Sequence, residues 1–240
     1  KYQEDYLLGT AIARPLISER IAHCAQKHGA QYICHGATGK GNDHIRFEKS
    51  WAYLVPEVEI IAPWKTWKFK GRTDLVEYLK TKGFEYKSDV QPQYSVDTNL
   101  LHLSTEGGRL ENIGVDFDES DVFQWTKPEP TQEETKLSFE FKNGIPVKMN
   151  AKEYRADDLL DELNQIGGRH GIGVVDLVEE RANGIKSRGI YETPGGTILS
   201  HAIKQLKQIC WSRKLSRTAQ ILSQEYGQLI YDGDWHSLAR

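Results

Sequence analysis

Cysteine is scarce in this chain: three occur in 240 residues, Cys24, Cys34 and Cys210, an odd number with no Cys-x-x-Cys spacing. That argues against a disulfide framework or a thiolate zinc site and points to a reducing cytoplasm. Long apolar runs are missing too, so no stretch reads as a membrane span, and no signal-peptide pattern opens the sequence. Neither sign of charge dominates. A net charge of −3 with 38% apolar residues suits an ordinary soluble globular chain and gives no reason to expect nucleic acid. No internal repeat or low-complexity tract is evident. Two phosphate-binding signatures fail as well. A Walker A loop needs Gly-x4-Gly-Lys-Ser/Thr, but here Gly41 follows Lys40 and Cys34 stands where the first glycine should be. The dinucleotide pattern Gly-x-Gly-x-x-Gly is absent from the same turn.

What is present is a glycine-rich turn between a short apolar strand, Gln31-Tyr-Ile-Cys34, and a helical pattern opening near Asp43. It reads Cys34-His-Gly-Ala-Thr-Gly-Lys-Gly-Asn-Asp-His-Ile-Arg46. Glycines at 36, 39 and 41 permit positive φ and close approach of a ligand to the backbone, and amides entering a helix favour an anion. The turn is therefore a candidate phosphate or carboxylate cradle, with a plain βα turn as the simpler alternative.

Around it, apolar Leu7, Leu8, Ile12, Leu16, Ile17 and Ile21 mark a helical face over residues 6–28, with Gly29 as its C-cap. A helix over 43–55 ends before Pro56, a strand covers 58–62, and a further helix covers 73–82. This alternation predicts an α/β fold, a parallel sheet with ligands at the carboxyl ends of its strands. After residue 87 the pattern changes. Two alternating segments, 137–142 and 145–149, flank Asn143-Gly144 as a hairpin, and helices are expected at 156–166, 197–211 and 218–231. A second, α+β domain follows, giving domains at 1–88 and 89–240. Residues 111–135, rich in Asp, Glu, Pro and Gln, read as a solvated excursion.

The glycine turn resembles the HGATGKGND loop of the argininosuccinate synthases, ligases that join citrulline to aspartate using ATP. The resemblance runs along nearly the whole chain. Tyr6-Leu-Leu-Gly-Thr10, Ala13-Arg-Pro15, Ile61-Ala-Pro-Trp64, Tyr94-Ser95, Asn99-Leu-Leu-His-Leu-Ser104, Gly167-Gly-Arg-His-Gly171 and Lys186-Ser-Arg-Gly-Ile-Tyr-Glu-Thr-Pro194 follow in family order. It implies part of an adenine nucleotide alpha hydrolase-like domain followed by a synthetase domain, in a homotetrameric, cytoplasmic enzyme of arginine biosynthesis and the urea cycle. The Ser-Gly-Gly-x-Asp pyrophosphate loop that opens the family is not in these residues, nor is its C-terminal arm. The chain is expected to be an internal portion, inactive alone; an amino-acid-binding module without ATP chemistry, or a ligase for another substrate, are the alternatives.

By the same resemblance, Tyr6, Asn42, Arg46, Ser95, Ser104, Glu179 and Tyr191 would bind citrulline, Thr38, Asn42 and Asp43 aspartate, and Gly36 ATP, with Mg²⁺ on the pyrophosphate. No metal ligand and no catalytic residue is assigned. Asn42 and Arg46, at i and i+4, share a helical face, and the guanidinium fork suits a carboxylate; a surface ion pair is their plain reading, and a helix N-cap is that of Asn42 or Asp43. His35 is a candidate for proton transfer or merely a satisfied polar group. Glu179, if buried, needs a cation, and the substrate ammonium would supply it. Ala11, Glu180 and Ser200 depart from the family's Ser, Asn and Tyr. The basic, aromatic run Lys65-Thr-Trp-Lys-Phe-Lys-Gly-Arg72 reads as a solvated or phosphate-facing loop in preference to a nucleic-acid surface.

Overall fold

A computed structural model describes residues 1–39, 41–69, 71–85, 94–127 and 129–238, without the side chains of residues 72 and 73. The expected domain boundary near residues 87–92 lies outside the described residues, as do Lys40 and Lys70. Two compact units are present. A glycine-loop unit comprises Ala11–Tyr94, Glu180–Ile185 and Leu229–Arg240; a sheet unit comprises Lys1–Thr10, Ser95–Glu179 and Lys186–Gln228.

Helix α1 (Gly9–His28) lies mostly in the glycine-loop unit, with β1 (Tyr32–Cys34), α2 (Asp43–Leu54), β2 (Glu59–Ile61), α3 (Pro63–Thr66) and α4 (Arg72–Thr81). Strands β1 and β2 pair in parallel, Tyr32 opposite Glu59 and Cys34 opposite Ile61, as the βα alternation requires. Gly29 closes α1 at φ +60°, the left-handed C-cap read from the sequence. The apolar face expected on α1 is not the buried one. Leu16, Ile17 and Ile21 are exposed, while Ala11, Pro15, Ser18, Ala22 and Ala25 form the buried stripe. The reason is Trp51 of α2. Its ring packs with Ala22, Ala25, Ile33 and Val55, and its indole N–H donates to the Ser18 carbonyl at 3.1 Å. Small side chains on α1 let that large ring seat and keep its polar atom satisfied.

The sheet unit holds β3 (Ser95–Thr98), β4 (Leu103–Glu106), a 3₁₀ turn (Gly108–Glu111), α5 (Glu119–Val122), β5 (Phe139–Lys142), β6 (Ile145–Met149), β7 (Lys152–Glu153), α6 (Ala156–Arg169), β8 (Val174–Glu180), β9 (Lys186–Glu192), α7 (Pro194–Cys210) and most of α8 (Arg213–Tyr231). One sheet runs β3-β4-β9-β8, with β3–β4 and β4–β9 antiparallel; β5-β6-β7 form a separate antiparallel sheet. Asn143 (φ 52°) and Gly144 (φ 79°) turn the β5–β6 hairpin with positive φ at both central residues. The core of α6 and this hairpin is Met149, Leu159, Leu163 and Ile166.

The acidic excursion differs from the expectation of a merely solvated loop. Val122 and Thr126 are buried, and the amides of Gln124, Trp125 and Thr126 donate to the fully buried carboxylate of Glu192 at 2.9, 2.8 and 2.6 Å. Lys127 N–H also bonds the Gly168 carbonyl at 2.9 Å. A polar-looking stretch is thus tied to the end of β9 through its backbone, a contact that side-chain composition does not disclose.

Candidate ligand site

The sequence-predicted residues fall into two groups, one in each unit. In the glycine-loop unit, Asn42 at the N-cap position of α2 and Arg46 and Lys49 within it fall at i, i+4 and i+7, hence on one face. That face grips the last residue of α8 and the turn that follows it. Arg46 is 4% exposed; its Nε donates to the Tyr231 carbonyl at 3.0 Å and its guanidinium lies 5.0 Å from the Tyr231 ring centre. The surface-pair reading of Arg46 therefore fails. Its Nη1 meets Asp43 at 3.2 Å, and Asp43 also receives Arg14 at 2.8 Å. Two guanidiniums share one carboxylate, so positive charge predominates in this trio. Nη2 of Arg46 has no hydrogen-bond partner among the described residues.

Asn42 does not act as a side-chain N-cap. Its Oδ1 accepts from the Ala182 amide and its Nδ2 donates to the Tyr231 hydroxyl, each at 2.9 Å. Tyr231 and the 181–185 turn were not legible as parts of this cluster, because they lie far along the chain from Asn42.

Thr38 and Gly36 sit in the exposed part of the glycine turn, where the Thr38 carbonyl accepts from Gly41 N–H at 3.3 Å. Gly36, Gly39 and Gly41 do not take positive φ, so the expected conformational reason for them is wrong. At Gly36 and Gly39 an added Cβ would meet nothing within 4 Å, so no contact among the described residues demands glycine there, and the backbone is open. His35 anchors the turn. Its Nδ1 accepts from Ala37 N–H at 3.3 Å, which leaves the ring proton on Nε2, directed at Glu48 at 3.2 Å. Phe47 and Trp51 flank the ring. Burial opposes ionisation of Glu48, yet bonds from Lys65 and His35 outweigh it and hold the carboxyl below its ordinary range. With both ring nitrogens engaged, His35 serves as an anchor.

In the sheet unit, Tyr191 on β9 stands opposite Ser104 on β4, and its ring lies 4.3 Å from that of Tyr6. Its hydroxyl donates to Glu179 at 2.7 Å. Burial first, then the charges of Glu106 and Glu179, push the Tyr191 pKa well above its ordinary value, so the group is a committed donor. Glu179 is 5% exposed, and Tyr191 is the one hydrogen-bond partner of its carboxylate among the described residues. A carboxylate so buried, met by a single neutral donor, calls for a cation. Nearby, Thr10 Oγ1 lies 3.2 Å from Asp97 and 2.8 Å from Nε2 of His102, whose ring stacks on Tyr191 with an interplanar angle of 10°. Sequence reasoning did not assign His102 or Asp97. Ser95 on β3 is exposed; it pairs with Glu106 of β4, two residues from Ser104, and so lies on the same face of the sheet as Ser104 and Tyr191. Ala11 is fully buried. A cavity of about 1330 Å³, lined by residues 1–5, α7 and α8, contains none of the candidates although Ser200 borders it.

Comparison with known proteins agrees with these motifs. The profile described as "Arginosuccinate synthase N-terminal HUP domain" matches residues 1–85, and "Arginosuccinate synthase C-terminal domain" matches residues 94–240. The argininosuccinate synthase of Clostridium tetani is 46% identical over 240 residues, which is 100% of this chain and 60% of the relative. That of Clostridium botulinum strain Langeland is 44% identical with the same coverage. The enzyme of Caldanaerobacter subterraneus subsp. tengcongensis is 46% identical over 98% of this chain and 58% of its own. The chain thus spans about 60% of the length of the relatives it matches. Two matching profiles covering both halves, and identity sustained from end to end, place it: the chain belongs to the argininosuccinate synthase family.

Proposed function

We propose that the full-length protein ligates citrulline and aspartate at the expense of ATP, forming argininosuccinate, AMP and pyrophosphate. The observation that carries this reading is the buried Arg46 of the glycine-loop unit, whose Nη2 has no hydrogen-bond partner among the described residues and can face a carboxylate. In the sheet unit, taken by itself, the buried carboxylate of Glu179 suits an ammonium group. Tyr6, Asn42, Ser95, Ser104 and Tyr191 complete the proposed citrulline contacts. Thr38, Asn42 and Asp43 would take aspartate, and the backbone at Gly36 would take ATP.

In the reaction the citrulline ureido oxygen attacks the α-phosphorus and pyrophosphate leaves. The aspartate amine then attacks the activated carbon, and AMP departs carrying the ureido oxygen. The residues described here bind and align; alignment and fixed charge are large sources of rate in such transfers. Among the described residues no group of His, Cys, Asp and Glu forms a candidate metal site; in this reading Mg²⁺ would come with the ATP polyphosphate and neutralise its charge. No helix among the described residues is long and apolar enough to cross a membrane. A cytoplasmic homotetramer without nucleic acid is part of the same proposal.

The test is AMP formation by the full-length protein. It should require citrulline, with argininosuccinate formed only when aspartate is also present, and AMP release with citrulline omitted would refute the reading.

A further inference from the structure

We propose that Tyr231 is a positioning residue for amino-acid recognition, holding Asn42 and Arg46 in their binding orientations. The proposal rests on the functional reading above, which assigns those two side chains to substrate. Tyr231 is 1% exposed and spends three different groups on the pair. The hydroxyl accepts from Asn42 Nδ2 at 2.9 Å, the carbonyl accepts from Arg46 Nε at 3.0 Å, and the ring lies 5.0 Å from the Arg46 guanidinium carbon. Each contact removes a separate freedom. The bond to Nε fixes the direction of the guanidinium plane. The aromatic face restrains motion out of that plane. At Asn42, Ala182 N–H demands the oxygen and Tyr231 receives the nitrogen, so the amide is held at both ends.

A second observation separates this role from simple packing of the chain after α8. Lys49, one turn further along the same face of α2, bonds the Asp232 carbonyl at 2.9 Å and the Asp234 carboxylate at 3.0 Å. Those bonds fasten the 232–234 turn to α2 through atoms other than the Tyr231 hydroxyl and carbonyl. Gly233, at φ +83°, lets the turn come close: an added Cβ there would lie 3.0 Å from Arg46 Cα. The turn is thus fastened by Lys49 and admitted by Gly233, while the hydroxyl and carbonyl of Tyr231 are directed at the recognition pair. Pre-set orientation of this kind raises affinity by sparing the ligand the ordering of its own contacts.

The experiment is a double-mutant cycle in the full-length protein, reading KM for citrulline, aspartate and ATP. Tyr231→Phe keeps the ring and the carbonyl and deletes only the hydroxyl. It should raise KM for citrulline or aspartate roughly three- to tenfold, the worth of one buried hydrogen bond, and leave kcat and the ATP KM within about twofold. In an Asn42→Ala background the same change should have no further effect on that KM, because its partner is gone. Lys49→Met is the structural comparison, lowering Tm without singling out an amino acid. Unchanged amino-acid KM in Tyr231→Phe, equal losses in both backgrounds, or a parallel rise in the ATP KM would each overturn the proposal. If the unaltered protein consumes no citrulline, the functional reading itself falls and takes the proposal with it; normal turnover with an indifferent Tyr231→Phe sinks the proposal alone.

Discussion

Glu192→Gln should destabilise this protein far more than an isosteric change usually does. The native carboxylate is fully buried and accepts three backbone N–H groups, one on Oε1 and two on Oε2. Glutamine has one oxygen. Placed where Oε2 was, it keeps the amides of Trp125 and Thr126 and turns an NH₂ toward the amide of Gln124, donor against donor. One charge-assisted bond is lost, roughly 1.5–3 kcal/mol, and the other two weaken to neutral strength. The total is about 2–4 kcal/mol, or a fall in Tm of roughly 5–15 °C for a chain of this size. Thermal unfolding gives the total. Hydrogen exchange localises it, because protection at residues 124–126 should fall before that of β4 and β9. Since Glu192 directly follows Tyr191, the same loosening reaches the proposed citrulline contacts. A Tm within 2 °C of the parent, with unchanged exchange at 124–126, would show that the buried carboxylate does not hold the excursion.

Arg46→Ala should weaken citrulline binding by about 1.5–3 kcal/mol and spare ATP, as measured by calorimetry on the full-length protein; equal affinity would remove Arg46 from the site. Gly233→Ala forces a side chain into left-handed backbone against Arg46, and an expected loss of about 1–3 kcal/mol in urea unfolding checks it. Trp51→Ala should cost about 3–5 kcal/mol, because the small stripe on α1 cannot close over the space left. For Tyr191 the folded pKa is raised, so its contribution is whole below the unfolded value of about 10. As pH climbs past that value the unfolded chain releases the proton first, and stability falls by up to about 1.4 kcal/mol per unit until the folded group also titrates. Tyr191→Phe, compared with the parent between about pH 9 and 11.5, should lack that part of the slope. Parallel slopes would mean the hydroxyl titrates normally.

Local chemistry made much of the fold legible. Asn143-Gly144 needs no tertiary information to become a tight turn, and Gly29 ends α1 because a glycine tolerates the left-handed cap. The i, i+4 relation of Asn42 and Arg46 follows from helix geometry alone. Features set by distant partners were not legible. Which face of α1 is buried depends on Trp51, and sequence periodicity favoured Leu16, Ile17 and Ile21 because it cannot see what a helix packs against. Tyr231 reaches Arg46 across 185 positions, and only its folded position makes it part of the cluster. The excursion misled for a different reason: its attachment is through backbone amides, on which side-chain composition is silent.

The central claim is that Arg46, Glu179 and their neighbours serve a citrulline-activating ligase, and an isotope transfer tests it most directly. The full-length protein is given ATP, aspartate and citrulline labelled with ¹⁸O in the ureido group, and the AMP is weighed by mass spectrometry. The account predicts AMP carrying the label in its phosphate, formed together with argininosuccinate and greatly reduced in Arg46→Ala at subsaturating citrulline. AMP without the label, or no citrulline-dependent AMP, would contradict it.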